Sequence, residues 1–160
     1  MGFAGFEEFV TEHRAALLRS AYLLTGERHR AEDLVQQALT KLAERWDRIG
    51  PSHPEAFVRT VLYRDAVSGW RKLRRERVTE TPPDVAGWGD LAEDVTRRQE
   101  LLRALADLTP KQRAVLVLRY FDDLTESQTA AVLGVRVGTV KSQTHLALRR
   151  MREQMQEVTA

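Results

Sequence analysis

Cysteine is absent from the 160 residues, which excludes disulfides and thiolate metal sites. That is compatible with a reducing cytosol and equally with other compartments. Long apolar runs are also missing: no stretch approaches the roughly 20 residues needed to cross a bilayer. The opening MGFAGFEEFVTEHR is broken by acids within a few residues and lacks the basic start and apolar run of a signal peptide. The expectation is a cytoplasmic protein with no membrane contact. The four histidines (His13, His29, His53, His145) show no metal-ligand spacing, and neither HExxH nor a P-loop occurs. No nucleophile motif is recognisable, so an enzyme is not expected, and neither is a cofactor or a metal.

What the chain does have is ordinary globular composition, 42% hydrophobic and 30% charged, too apolar for wholesale disorder. Its length suits one domain or two small ones, and two halves of about 70 residues would each have a thin core. Net charge is only +2, with a pI near 9.2, so the balance says little about partners, but the distribution says more. From Arg59 to Arg77 the chain carries Arg59, Arg64, Arg71, Lys72, Arg74, Arg75 and Arg77 against Asp65 and Glu76. Val78 to Thr96 reverses this, with Glu80, Asp84, Asp90, Glu93 and Asp94 and no base. From Ser127 to Arg152 there is no acid, while Arg136, Lys141, Arg149, Arg150 and Arg152 are present. Two cationic surfaces joined by an anionic strip fit a phosphate backbone better than they fit merely solvated helix faces.

Apolar spacing is helical throughout. Phe6, Phe9, Val10, Ala16, Leu17 and Leu24 form one stripe that stops at Gly26. Ala31, Leu34, Val35, Ala38, Leu39, Leu42, Ala43 and Trp46 form a second, ending before Gly50 and Pro51. Pro54 suits the first turn of a third helix carrying Phe57, Val58, Val61, Leu62, Ala66, Trp70 and Leu73. Trp70 fits that stripe and reads as core rather than as a wedge between bases. Thr79 to Gly89, with two prolines and two glycines, reads as a linker. Leu91, Val95, Leu102 and Leu105 then suggest a fourth helix.

The local chemistry after it is sharper. Thr109-Pro110-Lys111-Gln112 combines an N-cap threonine, proline at the first helical position and glutamine three residues after the cap. The helix that follows carries Ala114, Val115, Leu118 and Phe121 on one side and breaks at Asp122-Asp123. Thr125-Glu126-Ser127-Gln128 is a second capping box, followed by Ala130, Ala131 and Leu133 and a stop at Gly134. A short helix between two such stops, followed at once by another, is the pattern of a helix-turn-helix. At about 100° per residue, the last helix, from about Val137 to Gln154, sends Val140, Thr144, Ala147, Leu148, Met151 and Met155 towards a core. Gly138, Ser142, His145 and Arg149 fall opposite, with Lys141 at the border. A recognition helix needs this division, because small and polar residues must enter the major groove while cations meet phosphates.

The stretch LTPKQRAVLVLRYFDDLTESQTAAVLGVRVGTVKSQTHLALRRMRE closely resembles region 4 of extracytoplasmic-function sigma factors, and the details resemble an actinobacterial, sigma-E-like subgroup. RAEDLVQQALTKLAERW is similar to their region 2.2, and AFVRTVLYRDAVSGWRKLRRER to regions 2.3 and 2.4. The resemblance implies an all-α protein of two small helical domains. These are region 2 over residues 1–77 and a helix-turn-helix region 4 over 91–160, joined by an acidic flexible linker, 78–90. It implies core RNA polymerase, through its clamp helices and flap, and promoter DNA as partners, with an anti-sigma factor as a further one. Carried over by residue, it puts Asp33, Gln36, Gln37 and Lys41 on the polymerase; a solvated helix face is the plain alternative. It puts Arg59, Arg64, Arg71, Lys72, Arg74 and Arg75 at the −10 element. Arg136, Gly138, Thr139, Lys141, Ser142, His145 and Arg149 go to the −35 element. Gln37, Arg64 and Arg136 depart from the usual family residues; Arg136 replaces an N-cap serine, a loss of roughly 1 kcal/mol that a bound phosphate would offset. The acidic linker reads either as a strip that occupies a nucleic-acid surface of the polymerase or as a solvated spacer. A stand-alone helix-turn-helix regulator is the other function class, although the first half shows neither a phosphoacceptor pattern nor a ligand motif.

Overall fold

A computed structural model describes residues 2–73 and 92–159, with backbone alone for 70–73, 92–94, 158 and 159. Among these residues all regular structure is helical, as the periodicity predicts. Helix α1, Phe6–Thr25, ends where Gly26 takes the left-handed conformation (φ 70°) and donates its N–H to Tyr22 O at 2.7 Å. Helix α2 is Arg28–Glu44. The expected second helix ran on through Trp46, but Arg45 leaves helical geometry (φ −118°, ψ 15°) and Trp46 opens a separate turn, α3, Trp46–Ile49. The break lets the indole reach Phe6 and Phe9, at ring-centroid distances of 5.3 and 5.9 Å, and donate its N–H to Ala4 O at 3.0 Å. Gly50 follows because nothing larger fits: a Cβ there would lie 2.7 Å from the Trp46 ring and carbonyl. Helix α4, Pro54–Leu73, begins on the expected proline.

The second half contains α5, Ala92–Ala106, and α6, Pro110–Leu116, then α7, Glu126–Leu133, and α8, Val137–Thr159. Both capping boxes form: Gln112 N–H donates to Thr109 Oγ1 at 3.2 Å and Gln128 N–H to Thr125 Oγ1 at 3.1 Å, with each glutamine side chain accepting in return. Helix α6 widens into a π turn, Val117–Phe121, closed by Asp122 N–H to Val117 O at 2.9 Å. The wider turn sets the chain back by roughly one residue's rotation. Phe121, expected beside Leu118, is therefore half exposed, and Asp122 points inward instead. In α7 the buried positions are Thr129, Ala130 and Val132, while Ala131 is exposed. In α8 Val140 and Ala147 are fully buried and Thr144, Leu148 and Met151 half-buried. Met155 is 65% exposed, against expectation, because α8 runs past the turn after α5, where Gln154 bonds Asp107 at 3.0 Å.

The core is not two thin cores. Phe9, Leu17, Ala21, Val35, Leu42, Val58 and Leu62 pack α1, α2 and α4 together, and Leu102 of α5 enters the same cluster. A second cluster joins Leu24 of α1 and Tyr63 of α4 to Ala114, Val117, Leu118 and Val132 of the other half. The boundaries expected at 77/78 and 90/91, and the acidic segment between them, lie outside the described residues.

Candidate functional site

The capped helices fix α8 at its start. Gly134 closes α7 in the left-handed conformation (φ 67°), and two residues later Arg136 O accepts the N–H groups of Thr139 and Val140, starting α8. Val140 and Ala147 anchor the buried strip of the helix. Arg136, Gly138, Lys141, Ser142, His145 and Arg149 are all exposed and Thr139 is half-buried, so the residues expected at DNA form one open face. Space around Gly138 is open, and a Cβ added there would meet no atom within 4 Å; packing inside the chain does not demand the glycine, whereas close approach of a DNA backbone would. Ser142 donates its hydroxyl to Thr139 O at 3.1 Å, which leaves its oxygen lone pairs turned to an outside donor. Arg149 pairs with Glu153 of the next turn at 3.4 Å. Both partners are exposed, and such surface pairs contribute little to stability.

On α2, Asp33, Gln36 and Gln37 are exposed and lie three and four residues apart on one face. Lys41 continues that face, but its ammonium is held by Asp65 of α4 at 3.1 Å. The α4 cations behave differently. Arg59 pairs with Glu55 at 2.8 Å and turns its Nε to Asp122 of the second half at 3.7 Å. Arg64 donates to Val132 O at 3.2 Å, covering an unpaired carbonyl at the end of α7. Arg71 and Lys72 lie on α4 with side chains outside the described residues, as is that of Trp70, and Arg74 and Arg75 fall outside altogether.

Sequence reasoning missed the groups that make the seam. Asp122, read only as a helix breaker, accepts the Ser20 hydroxyl at 2.7 Å and the Tyr63 hydroxyl at 2.6 Å. Burial first, then the Asp122 carboxylate, pushes the Tyr63 phenol well above its usual pKa of 10.0, so it stays protonated and donating. Arg113 of α6 is 3% exposed and reaches the C-terminal ends of two helices: Leu105 O and Leu24 O at 2.7 Å, and Ala106 O and Leu108 O at 3.1 Å. Only the oddity of an arginine inside an apolar stripe, between Gln112 and Ala114, signalled it.

Residues 9–76 match the family described as Sigma-70 region 2, and residues 98–151 the one described as Sigma-70, region 4. An RNA polymerase sigma-E factor of Streptomyces avermitilis is 41% identical over 153 residues, covering 94% of this chain and 85% of that protein. The chain is an extracytoplasmic-function sigma factor of the sigma-70 family. Sigma factors bind RNA polymerase and promoter DNA to direct transcription initiation, and they are not catalytic enzymes. The ECF sigma factor SigL of Mycobacterium tuberculosis is 33% identical, with 92% of this chain and 86% of that protein covered. Among solved structures, the sigma factor RpoE of Bartonella quintana in complex with the anti-sigma factor NepR matches with a TM-score of 0.75 and 28% identity. That match covers 94% of this sigma factor and 96% of RpoE. Both regions in order do not favour the stand-alone regulator. No helix among the described residues is long and apolar enough to cross a membrane.

Proposed function

We propose a division of labour among the faces of this sigma factor. Asp33, Gln36 and Gln37, with Lys41 at the edge, meet the clamp helices of core polymerase. The cations of α4 and beyond it, Arg59, Arg64, Arg71, Lys72, Arg74 and Arg75, handle the −10 element. The exposed strip of α8, from Arg136 to Arg149, reads the −35 element, and the second half also rests on the flap. The observation that carries this reading is α8 itself: one strip fully buried, the other open, small and polar near its start and cationic farther along. An anti-sigma factor that holds the chain inactive is a further partner, on the likeness to RpoE, which was solved with NepR. The protein works in the cytoplasm, at the nucleoid when in holoenzyme. Run-off transcription with core polymerase, on a promoter from its own genome, yields a defined start site that depends on this chain. Tight footprinting of DNA by the chain alone, with no association with core, refutes the scheme.

A further inference from the structure

Asp122 sits in a donor set built for an anion. Ser20 Oγ and Tyr63 Oη each donate to one of its oxygens, at 2.7 and 2.6 Å, and Arg59 Nε stands 3.7 Å away. The two hydroxyls and the guanidinium, whose own hydrogen bond goes to Glu55 at 2.8 Å, belong to the first half, on α1 and α4, while the carboxylate comes from the second. Beside them a cleft of about 400 Å³ opens along the seam, lined by Arg19 and Arg98 together with Ser20, Phe121 and Asp122. Two hydroxyls and a guanidinium are what a phosphate oxygen takes as readily as a carboxylate, through charge-assisted hydrogen bonds. The neighbouring Arg64, although exposed, donates to Val132 O, so both described α4 cations contact the second half.

We propose that Ser20, Tyr63 and Arg59 form a binding site for a backbone phosphate of promoter DNA, and that in this closed arrangement Asp122 occupies it as an internal stand-in. Closure and promoter binding then exclude one another, because the same donors cannot serve both anions. Separation of the halves removes Asp122 and exposes Ser20, Tyr63 and Arg59. The proposal rests on the reading that α4 faces the promoter.

The test uses the full chain, free and in holoenzyme, with labelled promoter duplex. In holoenzyme, Ser20→Ala with Tyr63→Phe lowers promoter affinity about ten-fold, through two lost charge-assisted bonds. Arg59→Gln reduces the slope of log affinity against log salt by about one. In the free chain, Asp122→Asn tightens duplex binding about five-fold by weakening the competing contact, and that gain disappears when Ser20→Ala and Tyr63→Phe are added. Holoenzyme carrying Ser20→Ala and Tyr63→Phe that binds promoter as well as the parent overturns the site, whatever Asp122→Asn does to folding. So does an Asp122→Asn gain that survives loss of the donors. Failure of the underlying reading shows separately, as Arg71→Ala and Lys72→Ala holoenzymes that keep the parent's promoter affinity.

Discussion

Replacing Arg113 by methionine tests how the halves are joined. The guanidinium makes four hydrogen bonds to backbone carbonyls, three of them in the last turns of α1 and α5, where carbonyls lack intrahelical donors, although Leu105 O also accepts the Leu108 N–H at 3.1 Å. Bonds from a charged donor contribute about 1.5 kcal/mol each at the low end, or roughly 6 kcal/mol together. Releasing a buried guanidinium from its desolvation penalty, and the apolar contacts of methionine, return about half of that. The expected net loss is about 3 kcal/mol, close to a Tm decrease of 6–12 °C for a domain of roughly 150 residues. Urea unfolding followed by far-UV circular dichroism gives the number directly, provided m is unchanged. Arg113→Lys falls between parent and methionine, because a point-like ammonium cannot reach carbonyls spread over two helix ends. A loss below about 1 kcal/mol for Arg113→Met would show that the carbonyls find other partners and that the arginine is incidental.

Four further outcomes are expected. Thr129 is fully buried and its hydroxyl finds no partner among the described residues, so Thr129→Val raises stability by about 1 kcal/mol in the same unfolding experiment; destabilisation means the hydroxyl is satisfied. Tyr63 has a folded pKa above its unfolded value of 10.0, so the stability it contributes is fully present below that pH and is lost as pH rises through the folded pKa. The stability of Tyr63→Phe therefore falls less steeply above pH 10 than the parent's, and parallel curves refute the linkage. Arg149→Ala weakens holoenzyme on all promoters alike and lowers the salt slope by about one, while Lys141→Ala changes preference among −35 variants by roughly 1 to 3 kcal/mol; the reverse pattern in a randomised −35 library means that α8 is turned the other way in the groove. Replacing Asp33, Gln36 and Gln37 together by alanine weakens core binding in a pull-down while thermal stability stays within about 0.5 kcal/mol of the parent, and loss of helical signal marks them as structural instead.

Much of this was legible because local rules act locally. A threonine three residues before a glutamine, at the point where one apolar stripe stops and another begins, closes a capping box from local contacts alone, so Thr109 and Thr125 placed the starts of α6 and α7, and Gly26 and Gly134 the ends of α1 and α7. Side-chain periodicity placed the open strip of α8 for the same reason. The failures follow from geometry that periodicity assumes away. A π turn in the middle of an apolar stripe sent Phe121 outward and Asp122 inward, and a single non-helical residue, Arg45, redirected Trp46. The seam was not legible at all. Ser20, Tyr63 and Asp122 acquire their meaning from partners 59 to 102 residues away, and Arg113 joins the halves through Leu24, 89 residues away; no spacing rule reaches that far.

The shared cluster of Leu24 and Tyr63 with Ala114, Val117, Leu118 and Val132 constrains how this protein can be recombined. A chimaera that takes one half from a relative inherits only one wall of that cluster. Ala114 and Val117 are fully buried against it, so a methylene added opposite either one has no room, and a methylene removed leaves a void. Halves exchanged between paralogues will therefore assemble well only when their seam residues are exchanged as a set, volumes matched across it, even if each half reads its own stretch of DNA without fault.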